Sequence, residues 1–157
     1  MRPLPDTFSR LQRALHWGMV VLIATNLALP QAMGGRGLAL GVFPSEAQHI
    51  VIGCTVMALA VLRLLLRLTR GVPPEPLGAP RVFRVLARLG QWVFYALFFA
   101  VSVSGLLSYY LDDPTARLLH ADILRPLFYL LIAVHVCLAL AHQFVWRTDM
   151  LGKIIRG

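Results

Sequence analysis

Four long runs of apolar residues, roughly 12–32, 48–68, 88–110 and 123–146, alternate with short polar connections along the chain. Each run is near or above the ~20 residues that a helix needs to cross a bilayer core. The runs and their connections use the whole chain, so no room is left for a soluble catalytic domain. The pattern predicts an all-α integral membrane protein, a four-helix bundle in one domain over residues 1–157.

Composition sharpens this picture. The 157 residues are 58% hydrophobic and 14% charged, with a mean hydropathy of +0.71, outside the usual range for a soluble globule. The first run follows Arg2, Arg10 and Arg13, as a signal peptide would, but it is too long and has no A-x-A cleavage pattern. It is expected to stay as a span.

Charge gives an orientation. Arg2, Arg10 and Arg13 precede the first span, six arginines from Arg63 to Arg88 surround the second connection, and Arg147, Lys153 and Arg156 follow the last span. Only Arg36, Arg117 and Arg125 fall on the opposite side. By the positive-inside bias both termini are expected in the cytoplasm. The net charge of +8 is then a topology signal with lipid headgroups as partners, and nucleic acid is not needed to explain it.

The connections are a Gly-rich outer loop (30–48), a Pro-rich cytoplasmic link (71–80) and a second outer loop (112–122). Cys54 and Cys137 fall inside spans and suggest neither a disulfide framework nor a zinc site.

The candidate chemistry lies in the five histidines. His16 is near the cytoplasmic start of the first span, His49 at the outer start of the second, His120 at the outer mouth of the fourth, and His135 and His142 deeper along that helix. Intramembrane ionisable groups are functional candidates, and no carboxylate is available in the spans to build a mixed proton relay. Neutral imidazole is an axial ligand for haem iron, and a haem between helices takes one ligand from each of two facing spans. His49 and His120 make an outer layer, and His16 with either His135 or His142 an inner one. A rise of about 1.5 Å per residue separates His120 from His135 by about 22 Å, enough for two stacked macrocycles. At about 100° per residue, His135 is rotated roughly 60° from His120, a mismatch that a kink at Pro126 or a loop position for His120 would change.

The segments RLQRALHWGMV (10–20), HIVIGCTVMALAVLRLLLRL (49–68), LARLGQWVFYALFFAVSVSGLLSYY (86–110) and LLIAVHVCLALAHQFVW (130–146) resemble the bacterial cytochrome b561 family over nearly the whole chain. The most specific pieces are LHW in the first helix, the histidine opening the second and HVCLALAH in the fourth. The resemblance implies a multi-pass inner-membrane cytochrome carrying two haem b groups by bis-histidine ligation. His16 and His135 would be the inner ligands, His49 and His120 the outer, and His142 would lie near a propionate or quinone. In its superoxide oxidase type, the family passes electrons from superoxide at the outer face to ubiquinone. Other similar cytochromes relay electrons between the quinone pool and a partner redox protein. Two departures stand out: the fourth-helix ligands are usually fourteen residues apart where here the gap is fifteen, and Gln91 stands where the family often has a histidine.

Supporting roles follow. Arg13 and Arg63 are candidates for inner haem propionates, and Arg36, Arg117 and Arg125 for outer propionates or for drawing in an anion. Arg88, Gln91 and His142, with Arg67 and Arg70, are candidates for a quinone slot. Asp112, Asp113, Asp122 and Glu46 bring the outer connections to about −1, a weak field for attracting superoxide. Gly18, Gly53 and Gly105 are positions where a macrocycle could approach backbone.

Overall fold

The computed structural model describes residues 5–31, 45–74 and 78–156, and Arg36 lies outside them. Among the described residues the chain is all-helical: α1 (Arg10–Gln31), α2 (Ser45–Arg70), α3 (Arg81–Tyr110), α4 (Pro114–Leu118), a π-helical turn (Leu119–Leu124), α5 (Arg125–Phe144) and α6 (Met150–Ile155). Among the described residues three helical stretches are long and apolar enough to cross a membrane: Ala47–Arg70, Arg81–Tyr110 and Pro114–Phe144. Val51, Leu68, Leu130 and Phe144 are each at least 60% exposed. An apolar surface this extensive has lipid as its solvent.

Local chemistry fixes the helix ends. Ser9 and Gln12 form a reciprocal capping box at the start of α1, with Ser9 N–H donating to Gln12 Oε1 (2.9 Å) and Gln12 N–H to Ser9 Oγ (3.3 Å). Gln12 is buried and its amide donates to the Gly71 carbonyl at 3.0 Å, joining the start of α1 to the end of α2. Gly71 closes α2 in the left-handed region (φ 75°), where glycine carries no steric penalty, and its N–H returns to the Arg67 carbonyl. Within the spans, Thr25, Thr55 and Thr69 each return their hydroxyl to the carbonyl four residues earlier, which pairs those three groups inside their own helices.

The tightest core lies between α1 and α2. Met19, Val56 and Ala60 are buried there, with Leu22, Ile23, Ile52, Leu59 and Phe98 packed around them. Ala60 is fully buried, and so small a side chain lets the two helices approach closely.

The segment 112–122, read from sequence as a loop, is mostly helical. Asp113 caps α4 by accepting from Thr115 N–H (2.8 Å) and Ala116 N–H (3.2 Å), and Pro114 occupies the first turn, where its missing N–H costs nothing. The π turn follows directly, and the N–H of Arg125 bonds to the carbonyl of His120, five residues back. Pro126 cannot donate and its ring crowds the carbonyl four residues earlier, so a wider turn before it relieves the conflict. His120 therefore stands on a continuous helix running into α5.

Two sets of contacts define the ends of the molecule. At the terminal end, Arg13 and Trp17 of α1 donate to the Ile155 and Ile154 carbonyls of α6, and Phe83 of α3 packs on Trp146 beyond α5. At the distal end, the start of α2, the C-terminal half of α3 and the π turn converge on His49 and His120.

Candidate functional site

Four of the five histidines meet in pairs. At the distal end the rings of His49 and His120 have centroids 6.0 Å apart and planes at 89°. Toward the terminal end His16 and His135 have centroids 6.4 Å apart and planes at 64°. An imidazole nitrogen bound to a transition metal stands about 2.0–2.1 Å from it and the ring centre about 1.1 Å further, so two rings sharing an iron have centroids about 6.3 Å apart. Both pairs match that separation. Their interplanar angles are no obstacle, because each ring can turn about its metal–nitrogen bond.

In the distal pair the protonation of one ring follows from its hydrogen-bond partner. His120 Nδ1 is 2.8 Å from the Val101 carbonyl oxygen, which can only accept, so Nδ1 carries the proton and Nε2 is left with its lone pair. Ser104, itself buried, donates its hydroxyl to the same carbonyl at 3.0 Å and stands 3.4 Å from His120 Nδ1. A Cβ on Gly105 would lie 2.9 Å from His120 Cε1 and 3.0 Å from Nδ1. Gly105 thus makes room for the imidazole itself. Gly18 meets nothing within 4 Å, and a Cβ on Gly53 would meet Asn26 at 3.7 Å.

The π turn bears on the spacing of His120 and His135. Six residues in a π turn rotate less per residue than α-helix and absorb about one residue of phase, so a gap of fifteen turns the helix about as far as fourteen α-helical residues would. The additional residue is taken up locally at His120.

The terminal pair has a different setting. His135 packs edge-on to Phe94 at 5.2 Å, and His16 to Trp17 at 5.4 Å. Arg63 of α2 brings its charge to both rings and faces Tyr95, which is buried on α3. Among the described residues Arg63 has no carboxylate partner; Arg117–Asp112 (2.7 Å) and Arg156–Asp149 (3.3 Å) are exposed pairs at helix ends. A half-buried guanidinium with no carboxylate partner among the described residues, beside two imidazoles, suits a ligand that carries carboxylates.

Phe94, Phe98 and Phe128 form a cluster with centroids 5.4–6.1 Å apart that touches His135 through Phe94. Phe128 lies between His120 and His135 in the chain, which places the cluster between the two pairs.

His142 joins neither pair. It is buried, with Nδ1 2.9 Å from Thr148 Oγ1, while the Thr148 hydroxyl and N–H both donate to the His142 carbonyl (3.1 and 2.9 Å). Because that hydroxyl proton is committed, His142 Nδ1 is the donor to Oγ1. Arg147 (φ 51°) and Asp149 (φ 49°) take left-handed conformations on either side of Thr148 to make this closure. Arg67 donates to Gln91 Oε1 and stacks over Trp92 at 5.1 Å, Arg88 is exposed on α3, and Arg125 is half-buried near His49. Sequence reasoning did not single out Val101, Ser104, Tyr95 or the phenylalanine cluster as parts of the site. The adjacent small residues Ser104 and Gly105 in an apolar helix were the available signal.

Among the described residues no three His, Cys, Asp or Glu side chains converge to hold a bare metal ion. Two imidazoles per centre leave the remaining coordination to a macrocycle, which defines a membrane haem protein of electron transfer. The family model for prokaryotic cytochrome b561 matches residues 7–157, and the chain belongs to that family. It is similar to the probable superoxide oxidase CybB of Yersinia pestis, at 26% identity over 94% of this chain and 95% of that protein. It is also similar to cytochrome b562 of Cereibacter sphaeroides, at 29% identity over 95% of each chain. The protein is a multi-pass cytochrome of the bacterial inner membrane, and its family implies haem b. The paired rings, the fixed tautomer of His120 and the uncompensated Arg63 all fit that group.

Proposed function

We propose that this chain is a four-helix, two-haem b-type cytochrome with both termini in the cytoplasm, oxidising superoxide at the outer face and reducing ubiquinone. The observation that carries it is the pair of histidine pairs, with ring centroids 6.0 and 6.4 Å apart. In this reading the distal end is the outer one, with His49 and His120 as outer ligands and His16 and His135 as inner ligands. Haem, when bound, supplies reversible one-electron chemistry between ferric and ferrous iron.

The residues of the chain then have separate tasks. Arg63, with Arg13 near the α6 end, neutralises inner propionates. Arg125, Arg117 and Arg36 provide the cationic groups of the outer face, where superoxide gives up one electron and leaves as dioxygen. Two superoxide anions are needed per ubiquinone, whose reduction to ubiquinol also takes two protons from the cytoplasmic side. Arg88, Gln91 and His142 lie toward that side, where Phe83, Cys137 and Trp146 line an apolar groove of about 510 Å³ suited to a prenylated ring. The likeness to a probable superoxide oxidase supports superoxide as the donor.

The test is a dithionite-reduced minus oxidised spectrum with pyridine haemochrome quantitation on the purified full chain, followed by rapid mixing with superoxide. Two b haems per chain, reduced by superoxide within the mixing experiment and reoxidised by added ubiquinone, are expected. Two haems that superoxide leaves oxidised would instead point to a relay between the quinone pool and a partner redox protein.

A further inference from the structure

The two histidine pairs experience opposite influences on iron charge. In the distal pair His120 donates Nδ1–H to the Val101 carbonyl at 2.8 Å. A ligand imidazole that donates its second N–H to a carbonyl is a stronger base toward the metal, which favours the ferric state. In the terminal pair the neighbouring group is a cation. Arg63 stands fourteen residues after His49 on α2, about 21 Å along the axis and within about 40° of the same face, which brings it level with His16 and His135. Its guanidinium faces the buried Tyr95, so it is held by α3 as well as by its own helix. A fixed positive charge in a low-dielectric interior disfavours the additional charge of ferric iron.

The distal pair has a cation too, because Arg125 acts on His49. Arg125 opens α5 at the distal end, three residues after the exposed Asp122, and solvent and that carboxylate screen it. Arg63 lies within the span Ala47–Arg70, away from bulk solvent, and by pairing with a propionate it cancels a negative charge that would otherwise favour ferric iron at the terminal pair.

Resting on the two-haem reading, we infer that the inner centre has the higher reduction potential, with Arg63 and the Val101 carbonyl setting the gap, so electrons run downhill from the outer face inward. Tyr95 is a positioning residue for Arg63. Ser104 moderates the outer centre, because its hydroxyl shares the Val101 carbonyl with His120 and weakens the bond that the imidazole makes there.

Potentiometric titration of the purified full chain, followed by haem absorbance, tests this. Wild type shows two one-electron waves, and His120→Ala retains only the higher. Arg63→Met lowers the higher wave alone by about tenfold in equilibrium constant, about 59 mV for one electron, and Arg63→Lys restores most of the loss. Ser104→Ala lowers only the lower wave, about two- to threefold by the same scale. Retention of the lower wave in His120→Ala, or an Arg63→Met shift confined to the lower wave, overturns the inference. Should Arg63→Met lose haem, Tyr95→Phe carries the test: a smaller downward shift of the higher wave supports the inference, and an unmoved one overturns it. Fewer than two haems per wild-type chain, counted in the same samples, would instead remove the two-haem reading itself.

Discussion

The distal and terminal histidine pairs have nearly the same ring separation, 6.0 and 6.4 Å, but different elements hold them there. The distal pair relies on directional bonds: a backbone carbonyl orients His120, a glycine admits its ring, and a π turn sets its phase. The terminal pair relies on packing and charge, with Phe94 and Trp17 against the rings and Arg63 beside them. A directional site tolerates little change in its backbone. A packed site tolerates shape changes and is sensitive to lost volume or charge.

The largest effects should come from the paired histidines, the ligands in the proposal above. His120→Ala and His16→Ala are each expected to halve the haem content, with the two surviving haems distinguishable by their reduced α-band position. A chain that loses both haems in either variant would show that the layers are not independent. Next in size is Gly105→Ala, whose Cβ must displace the His120 ring. It should lower outer-haem occupancy at least tenfold by titration with haem, whereas Gly18→Ala, which meets open space, should leave both haems in place.

A smaller effect is expected outside both pairs. His142→Ala should retain two haems but lower unfolding stability by about 1–3 kcal/mol, because Thr148 loses its buried partner. Loss of a haem in this variant would make His142 a ligand and break the pairing drawn above. The smallest is Trp17→Phe, which removes one half-exposed hydrogen bond to Ile154. About 0.5 kcal/mol of thermal stability should be lost, with the outer haem spectrum unchanged.

Much of the site was legible because membrane chemistry narrows the options. Histidines in apolar runs need partners, and their positions at the helix mouths put His49 and His120 in one layer and His16 in another. The sequence left His135 and His142 open on depth. What separates them is a closure through Thr148 that depends on left-handed conformations at Arg147 and Asp149, which depth along a helix does not encode. The stretch 112–122 read as a loop because Asp112, Asp113, Pro114 and Arg117 are polar or helix-breaking in a helix interior. The same Asp-Pro pair is a helix-start signal, and here it caps α4. The fifteen-residue spacing was visible as a mismatch, but its resolution in a π turn depends on the neighbouring helix and on Pro126. The partner of His120 is a backbone carbonyl, and any residue at position 101 would supply one.

The contact between α6 and α1 also has a consequence in time. Arg13 and Trp17, which flank His16, donate to carbonyls at Ile155 and Ile154. At about 5–20 residues per second of synthesis, the groups that close this end emerge several seconds to half a minute after His16. During that interval His16 is made but its surroundings are incomplete, so the terminal pair is closed only after residues 154 and 155 have been made. The His49–His120 pair and the Val101 carbonyl, which lie within residues 49–120, can therefore be assembled before the His16–His135 pair.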